Sequence, residues 1–92
     1  MENSRNRAMV GDGYFEMALQ TIDIMRQYRI EEKGGGTYAS IHETLGIVAE
    51  EYHELIDAVR INNQDAVKKE LIDIAVACVF GIACIEAGTL DW

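Results

Sequence analysis

The sequence predicts an all-α protein, a compact helical bundle of three main helices that homo-oligomerisation completes. Three observations support this fold class. Apolar residues recur at helical spacing in three segments, three consecutive glycines separate the first two segments, and only the short stretch INNQD separates the last two. Because that connection is short, the second and third helices are expected to be antiparallel neighbours. We expect a flexible lead-in over residues 1–12 and one domain over residues 13–92.

The first predicted helix covers residues 14–30, with the sequence YFEMALQTIDIMRQYRI. Its apolar residues follow one another at steps of four, three and three, which is helical spacing: Phe15, Leu19, Ile22 and Met25. The sequence EEKGGGTY then breaks the pattern, and its glycines predict a loop before the second helix.

The second predicted helix starts near Ser40, a good N-cap residue that has Glu43 three residues later, as in a capping box. An apolar stripe follows at steps of mostly three and four, formed by Ile41, Leu45, Val48, Tyr52, Leu55, Ile56 and Val59. The stretch INNQD ends this helix, and Asp65 is expected to cap the next one.

The third predicted helix covers residues 66–87, and Gly88 stands where helices favour glycine as their stop. From Leu71 to Ile85 every residue is apolar or glycine except Asp73. A helix that is apolar on nearly every side must be buried on nearly every side, and three helices in so short a chain do not surround it. We therefore expect a homo-oligomer, either a dimer or a tetramer. The alternative is an exposed apolar helix that promotes aggregation.

The composition excludes several classes of function. The formal net charge of −8 argues against binding to a nucleic acid polymer, which requires a surface of lysine and arginine. The apolar run is too short to cross a membrane, and the polar start MENSRNRAMVGDG lacks the apolar centre of a signal peptide. Cys78 and Cys84 are expected to be small apolar residues in a reducing compartment. We therefore expect a cytoplasmic protein without a membrane partner.

Two carboxylate pairs are the chemically informative feature of the sequence. Glu51 and Glu54 are three residues apart in the second helix, and Glu70 and Asp73 are three apart in the third, so each pair shares one helix face. An ionised carboxylate inside an apolar run, such as Asp73, is costly unless a partner charge compensates it. Four acids at the border of two antiparallel helices suit a hard divalent cation. Mg²⁺ suits best, because it keeps coordination sites for water and phosphate oxygens.

Two other interpretations of these acids remain open. Glu51 and Glu54, taken alone, are typical of a solvated acidic helix face. Glu50 and His53 have the spacing of a di-iron site, in which a homodimer supplies two such pairs and two copies of Glu70. At about 100° per residue, however, Glu50 and His53 point away from the apolar stripe. The spacing therefore favours the divalent-cation site over the di-iron site.

Glu50-Glu51-x-x-Glu54 followed by Glu70-x-x-Asp73 resembles the EExxE…ExxD signature of MazG-like all-α nucleoside triphosphate pyrophosphohydrolases, over residues 38–88. The resemblance implies a helical bundle that assembles as a dimer or higher oligomer. It also implies Mg²⁺-dependent hydrolysis of a (deoxy)nucleoside triphosphate to the monophosphate and pyrophosphate, with Mn²⁺ as a substitute metal. The role it suggests is house-cleaning, the removal of non-standard or excess nucleotides.

The resemblance also assigns roles to individual residues. The metal ligands it implies are Glu51, Glu54, Glu70 and Asp73. Catalytic roles fall to Glu50, Glu51 and Glu54, with Glu50 as an additional ligand or as the base that orients water.

The sequence specifies substrate contacts less closely. Basic residues near the acids are Lys33 in the glycine loop and Lys68 or Lys69 at the start of the third helix, and each also suits a solvated surface. The candidates for contact with a nucleobase, each of which also suits the core, a cap or an interface, are Tyr38, His42, Phe80 and Trp92. Two alternative functions stay open: removal of pyrophosphate from a nucleotide of the phosphoribosyl-ATP type, and non-catalytic binding of metal or nucleotide by a helical oligomer.

Overall fold

The structure is a computed structural model that describes residues 7–92. It contains three helices, α1 over Asp12–Lys33, α2 over Ile41–Arg60 and α3 over Gln64–Ala87, and no strand within the described range. The predicted all-α class is therefore confirmed. Of the predicted lead-in, residues 1–6 lie outside the described part of the chain, and residues 7–11 precede α1 without regular structure.

α2 begins as the sequence predicts. Ser40 is the N-cap residue, and its Oγ accepts a hydrogen bond from the backbone N–H of Glu43 at 3.2 Å. The Glu43 carboxylate reaches one residue further back than in the usual capping box and accepts from the N–H of Ala39 at 2.8 Å. The bond to Ser40 satisfies one of the backbone donors that a first helical turn leaves free, and it fixes where the glycine loop ends.

α3 begins earlier than predicted, and its N-cap residue is Asn63 rather than Asp65. Asn63 Oδ1 accepts a hydrogen bond from the N–H of Ala66 at 3.1 Å, so Asp65 lies inside the first turn. The cause is the tight connection, in which Asn62 adopts a left-handed φ of 57° that asparagine tolerates. At the other end Gly88, with a φ of 66°, is the left-handed C-cap residue that the sequence predicts.

α3 is the central helix of the chain. It makes its most extensive contact with α2 and also packs against α1. Gly81 of α3 lets α2 approach closely, because a Cβ at this position would lie 2.9 Å from Thr44 Cγ2. Thr44 near the start of α2 therefore meets the later part of α3, and the two helices run antiparallel. Within residues 7–92 the buried apolar residues are few: Tyr38, Ala58, Val76, Ala77 and Cys84.

The side of α2 that packs against α3 is not the centre of the predicted apolar stripe. One row of residues along α2 is half-buried or buried and is spaced by seven residues: Thr44, Glu51 and Ala58. The adjacent line, Leu45, Tyr52 and Val59, is exposed in the single chain. One residue corresponds to about 100° around a helix, so this exposed line lies to the side of the contact with α3. Three other members of the predicted stripe are half-buried: Val48, Leu55 and Ile56.

The C-terminal residues tie the end of α3 to the start of α2. The N–H of Asp91 donates to the carbonyl of Ala39 at 2.7 Å, and the N–H of Ile41 donates to the carbonyl of Trp92 at 2.8 Å. The Trp92 ring lies against the His42 ring, with 4.8 Å between the ring centroids. This extended tail therefore fixes the glycine loop and the first turn of α2 from outside.

Apolar side chains also remain exposed on α1 and α3. No residue of α1 is fully buried, and the exposed apolar residues of α3 include Leu71, Val79, Ile82 and Ile85. A homo-oligomer would cover such surface, and its formation stays a prediction. Within residues 7–92, no helix combines the length and the apolar character that crossing a membrane requires.

Candidate metal centre

Four carboxylates from two helices converge at the border of α2 and α3. Glu51 and Glu54 come from α2, Glu70 and Asp73 come from α3, and one oxygen of each lies within 4.8 Å of the others. We call these four residues the acidic cluster. Antiparallel packing brings the later part of α2 beside the earlier part of α3, and the three-residue spacing in each helix turns both members of a pair to the same side. The structure thus brings together the four residues predicted as metal ligands.

The acidic cluster is partly withdrawn from water. Glu51 and Glu70 are half-buried, and the Oε2 atom of each is buried without a hydrogen-bond partner in the described chain. The Glu70 side chain is 13% exposed and that of Asp73 is 29% exposed, whereas Glu54 faces solvent. A buried carboxylate oxygen without a donor is costly. Two such atoms in one cluster are compatible with a cation that completes the site.

The charges of the cluster act on one another. The Glu70 carboxylate lies close enough to Glu54 for the two groups to share a hydrogen bond, and this contact is the main cause that raises the pKa of Glu54. The negative charges of Glu51 and Glu70 raise the pKa of Glu54 further. Without a cation, the neighbouring carboxylates therefore favour the protonated form of Glu54.

Lys69 is the basic residue in direct contact with the cluster. Its Nζ lies 3.0 Å from Asp73 Oδ2 and 3.3 Å from Glu70 Oε1. The hydrogen bond to Asp73, followed by that to Glu70, raises the pKa of Lys69. One ammonium group does not neutralise four carboxylates, and neither orphaned oxygen is on Asp73. Lys69 lies where the sequence analysis expected a substrate contact, and that role stays a prediction.

The donor set fits a hard divalent cation. All four groups are carboxylates, and no cysteine or histidine belongs to the cluster. Mg²⁺ prefers oxygen ligands and takes one or two carboxylates together with water and phosphate oxygens, while a soft metal would favour sulfur or imidazole. The residues present are therefore compatible with the divalent metal expected from the sequence.

Two adjoining cavities open beside the cluster. The first, which we call the Glu51 cavity, has a volume of about 180 Å³ and is lined by Glu51, Asp73, Arg29 and Lys33 among others. The second, which we call the Tyr38 cavity, has a volume of about 160 Å³ and is lined by Tyr38, Arg29 and Lys33 among others. Lys33, predicted to contact substrate, thus lines the cavity beside the acids, and Tyr38, also predicted to do so, lines the neighbouring cavity. We call the two cavities together the groove.

Two predicted site residues are not brought into this groove. His42 packs against Trp92 at the start of α2 and lines neither of the two cavities. Glu50 is exposed and does not belong to the group of four carboxylates. The roles predicted for both residues stay predictions.

Lys68 and Phe80 are two further candidates that line cavities near the cluster. Lys68 lines a mostly apolar cavity of about 340 Å³ between the earlier parts of α1 and α3, and also a cavity of about 230 Å³ that it shares with Lys69 and Asp73. Phe80 lines the Tyr38 cavity and packs edge-on against the ring of Tyr38, with 4.8 Å between ring centroids. Neither residue contributes a polar group to the acidic cluster.

Arg29 is a site residue that the sequence analysis missed. It is half-buried and lines both the Glu51 cavity and the Tyr38 cavity. A signal was present in the sequence, since Arg26, Arg29 and Lys33 follow one another at steps of three and four and so share one face of α1. The prediction for this helix considered only its apolar residues.

Comparison with known proteins agrees with the geometry. The family described as the MazG nucleotide pyrophosphohydrolase domain matches residues 39–91, more than half of the chain. The matched segment contains α2, α3 and the whole acidic cluster. No curated protein and no solved structure matches the chain. The chain belongs to the MazG nucleotide pyrophosphohydrolase domain family, a family of hydrolases that generally use a divalent metal.

Proposed function

We propose that the protein is a Mg²⁺-dependent pyrophosphohydrolase that converts a (deoxy)nucleoside triphosphate to the monophosphate and pyrophosphate. The observation that carries this proposal is the acidic cluster, whose four carboxylates converge within 4.8 Å and include two buried oxygens without a hydrogen-bond donor. Family membership supports the class of reaction, and the donor set supports the class of metal.

In this proposal the acidic cluster holds Mg²⁺, and Mn²⁺ is a substitute. When bound, the metal supplies positive charge that binds phosphate oxygens and lowers the pKa of water. The chain has a formal net charge of −8, so the protein's own field does not attract a triphosphate. The basic residues beside the cluster are then needed to orient the substrate, and Lys69, Arg29 and Lys33 are the available ones.

The reaction balances as a hydrolysis at the α-phosphorus. The water oxygen forms a bond to the α-phosphorus, and the bond from that phosphorus to the α–β bridging oxygen breaks. The bridging oxygen keeps the electron pair and leaves as part of pyrophosphate, while the water proton passes to a carboxylate or to solvent. Glu54 is the most solvent-accessible member of the cluster. This exposure supports Glu54 as the residue that orients the water, and Glu50 keeps the role that the resemblance implies.

The wider setting belongs to the same proposal. We propose a cytoplasmic house-cleaning enzyme whose single domain covers residues 13–92 and acts as a dimer or tetramer. The exposed line of Leu45, Tyr52 and Val59 on α2 supports the oligomer, because a single chain leaves it in water. Cys78 and Cys84 are both free thiols, as a reducing compartment allows.

A product analysis tests this function. The purified protein is mixed with Mg²⁺ and a panel of canonical and modified (deoxy)nucleoside triphosphates, and the products are identified by chromatography. We expect monophosphate and pyrophosphate in equal amounts, lost on chelation and lost in Glu54→Gln. Glu86→Gln is the matched control, since it makes the same change at an exposed position of α3 outside the cluster.

Each other outcome has a defined meaning. Release of diphosphate and phosphate would overturn the assigned reaction, and full activity of Glu54→Gln would overturn the assigned site. Hydrolysis confined to a phosphoribosyl-ATP-type substrate would select that alternative. A rise in melting temperature with Mg²⁺ but no product from any substrate would select the non-catalytic binding oligomer.

A further inference from the structure

The Glu51 cavity and the Tyr38 cavity, which together form the groove, lie next to each other. They share Arg29, Lys33 and Val76 in their linings. Their volumes are about 180 Å³ and about 160 Å³, each below the roughly 300 Å³ at which small-molecule pockets usually begin. A ligand as long as a nucleoside triphosphate would therefore have to extend from one cavity into the other or out to solvent.

The two ends of this groove differ in charge. The Glu51 cavity contains Glu51 and Asp73 of the acidic cluster. The Tyr38 cavity contains no acidic residue, and its charged lining residues are Arg26, Arg29 and Lys33. Such a lining favours an anion.

Tyr38 supplies a second, independent sign of a ligand. Tyr38 is 7% exposed, and its hydroxyl is buried without a hydrogen-bond partner in the described chain. A buried hydroxyl that serves packing alone would be costly, since phenylalanine would fill the same space against Phe80. Burial raises the pKa of Tyr38, so the hydroxyl keeps its proton and is available as a donor. Tyr38 lines the cavity, and an acceptor that reaches its hydroxyl would satisfy it.

Arg29 is the basic residue best placed to contact that acceptor. Arg26 is occupied by Asp23, whose carboxylate accepts from its Nε and Nη2 at 2.9 and 2.8 Å. Arg29, in contrast, makes no ion pair with an acid anywhere in residues 7–92. A half-buried guanidinium without a partner is costly, and its planar donors match phosphate oxygens.

We propose that the Tyr38 cavity binds the β- and γ-phosphates of the substrate, the part that leaves as pyrophosphate, through Arg29, Lys33 and the Tyr38 hydroxyl. This inference rests on the proposed function for the identity of the substrate. The α-phosphorus then lies beside the acidic cluster, and the two outer phosphates extend along the groove towards α1. The nucleoside points the other way, out of the Tyr38 cavity.

The test measures binding of two products rather than activity. Inorganic pyrophosphate, and separately each nucleoside monophosphate of the panel, is titrated calorimetrically into the protein with and without Mg²⁺. The variants are Arg29→Gln, which removes the charge, and Tyr38→Phe, which removes only the hydroxyl. Arg60→Gln is the matched control, because Arg60 is exposed at the end of α2 and lines neither cavity.

We expect Arg29→Gln to weaken pyrophosphate binding by about tenfold or more, the usual size of a hydrogen bond to a charged group. Tyr38→Phe should weaken it about threefold to tenfold without lowering the melting temperature, since no internal hydrogen bond is lost. Binding of nucleoside monophosphates, and the rise in melting temperature that Mg²⁺ alone produces, should stay as in the wild type. Arg60→Gln should bind pyrophosphate normally.

Three outcomes would overturn the inference. They are no binding of pyrophosphate by the wild type, undiminished binding by Arg29→Gln, or a loss in Arg29→Gln that affects monophosphates and spares pyrophosphate. The last outcome would place the nucleoside in the Tyr38 cavity. Failure of the proposed function is distinguishable, because absence of triphosphate hydrolysis would leave an Arg29-dependent pyrophosphate site measurable by the same titration.

Discussion

At the scale of single residues, Asp73 shows how far the sequence reasoning reaches. The carboxylate in an apolar run predicted a compensating cation, and the structure does place Asp73 in the acidic cluster. It also gives Asp73 a partner within the chain, because Lys69 one helical turn earlier donates to it at 3.0 Å. The stronger reason for a metal is therefore at Glu51 and Glu70, whose buried oxygens have no donor.

Tyr38 and Arg29 show where residue-level prediction stops. Tyr38 was expected to be either a base contact or a core residue, and the structure gives its ring a core position and leaves its hydroxyl without a partner. Arg29 was not singled out, because basic residues on a helix face are usually solvated. Only the packing of α1 against α3 shows that it faces the groove.

Two glycines make a matched prediction at this scale. Gly81→Ala should lower the free energy of unfolding by about 1–2 kcal/mol, because the new Cβ would lie 2.9 Å from Thr44 Cγ2 and force the helices apart. Gly46→Ala should raise it by about 0.5–1 kcal/mol, because Gly46 is helical with no atom within 4 Å of the added Cβ. Urea unfolding at one fixed protein concentration measures both.

The comparison isolates close packing from helix propensity. Both substitutions replace glycine by alanine in a helix and so change helix propensity by the same amount. The difference between their effects on the free energy of unfolding therefore reports the contact with Thr44. Equal stabilisation by the two substitutions would show that α2 and α3 do not approach at Gly81 as described.

At the scale of elements, helix positions follow from sequence period and capping chemistry. Ser40 caps the start of α2 and Gly88 caps the end of α3, as predicted. Both predictions hold because the Ser40 side chain and the backbone freedom of Gly88 act within one helical turn. The predicted start of α3 was wrong by two residues, because Asn62 reverses the chain with a left-handed φ that the sequence pattern does not reveal. Turn conformations of this kind depend on how the two helices meet.

The cap of α3 gives a prediction about this element. Asn63→Ala should destabilise the protein by about 1 kcal/mol, because the Ala66 N–H loses the Asn63 Oδ1 acceptor. Asp65→Ala should destabilise the protein less. It removes only the favourable interaction of an acid with the helix N-terminus, which is about 0.3–1 kcal/mol. Thermal unfolding of both variants in one buffer gives the order, and a larger loss at Asp65 would restore the sequence-based assignment.

The orientation of α2 is the element-level feature that sequence period did not resolve. Its apolar stripe is real, but the line that packs on α3 is that of Thr44, Glu51 and Ala58. Residues of mixed polarity therefore face α3, and Glu51 of the acidic cluster is one of them. Periodicity finds the most apolar side of a helix, and it does not say whether that side meets the same chain or another copy.

At the scale of the whole molecule, exposed apolar surface predicts self-association. Val79→Asp should dissociate the oligomer or prevent folding, because Val79 is apolar and 39% exposed on a helix with further exposed apolar residues. The measurement is light scattering coupled to size-exclusion chromatography, with circular dichroism to show whether the helices persist. Gln20→Asp, which adds the same charge at an exposed polar position of α1, should leave the mass unchanged.

A wild-type chain that is monomeric and stable over a wide range of concentration would contradict this expectation. The exposed lines on α2 and α3 would then be surface of a marginal small domain. That result would leave the acidic cluster untouched, since all four of its residues come from one chain.

The central claim is that the acidic cluster binds a divalent metal, and direct binding of Mn²⁺ tests it most directly. Electron paramagnetic resonance of free Mn²⁺ gives the bound fraction for the wild type, Glu70→Gln and the control Glu86→Gln. We predict saturable Mn²⁺ binding by the wild type and by Glu86→Gln. Glu70→Gln should weaken this binding at least about tenfold, since even groups outside a ligand set change metal affinity by that much. Equal Mn²⁺ binding by Glu70→Gln and the wild type would contradict the claim.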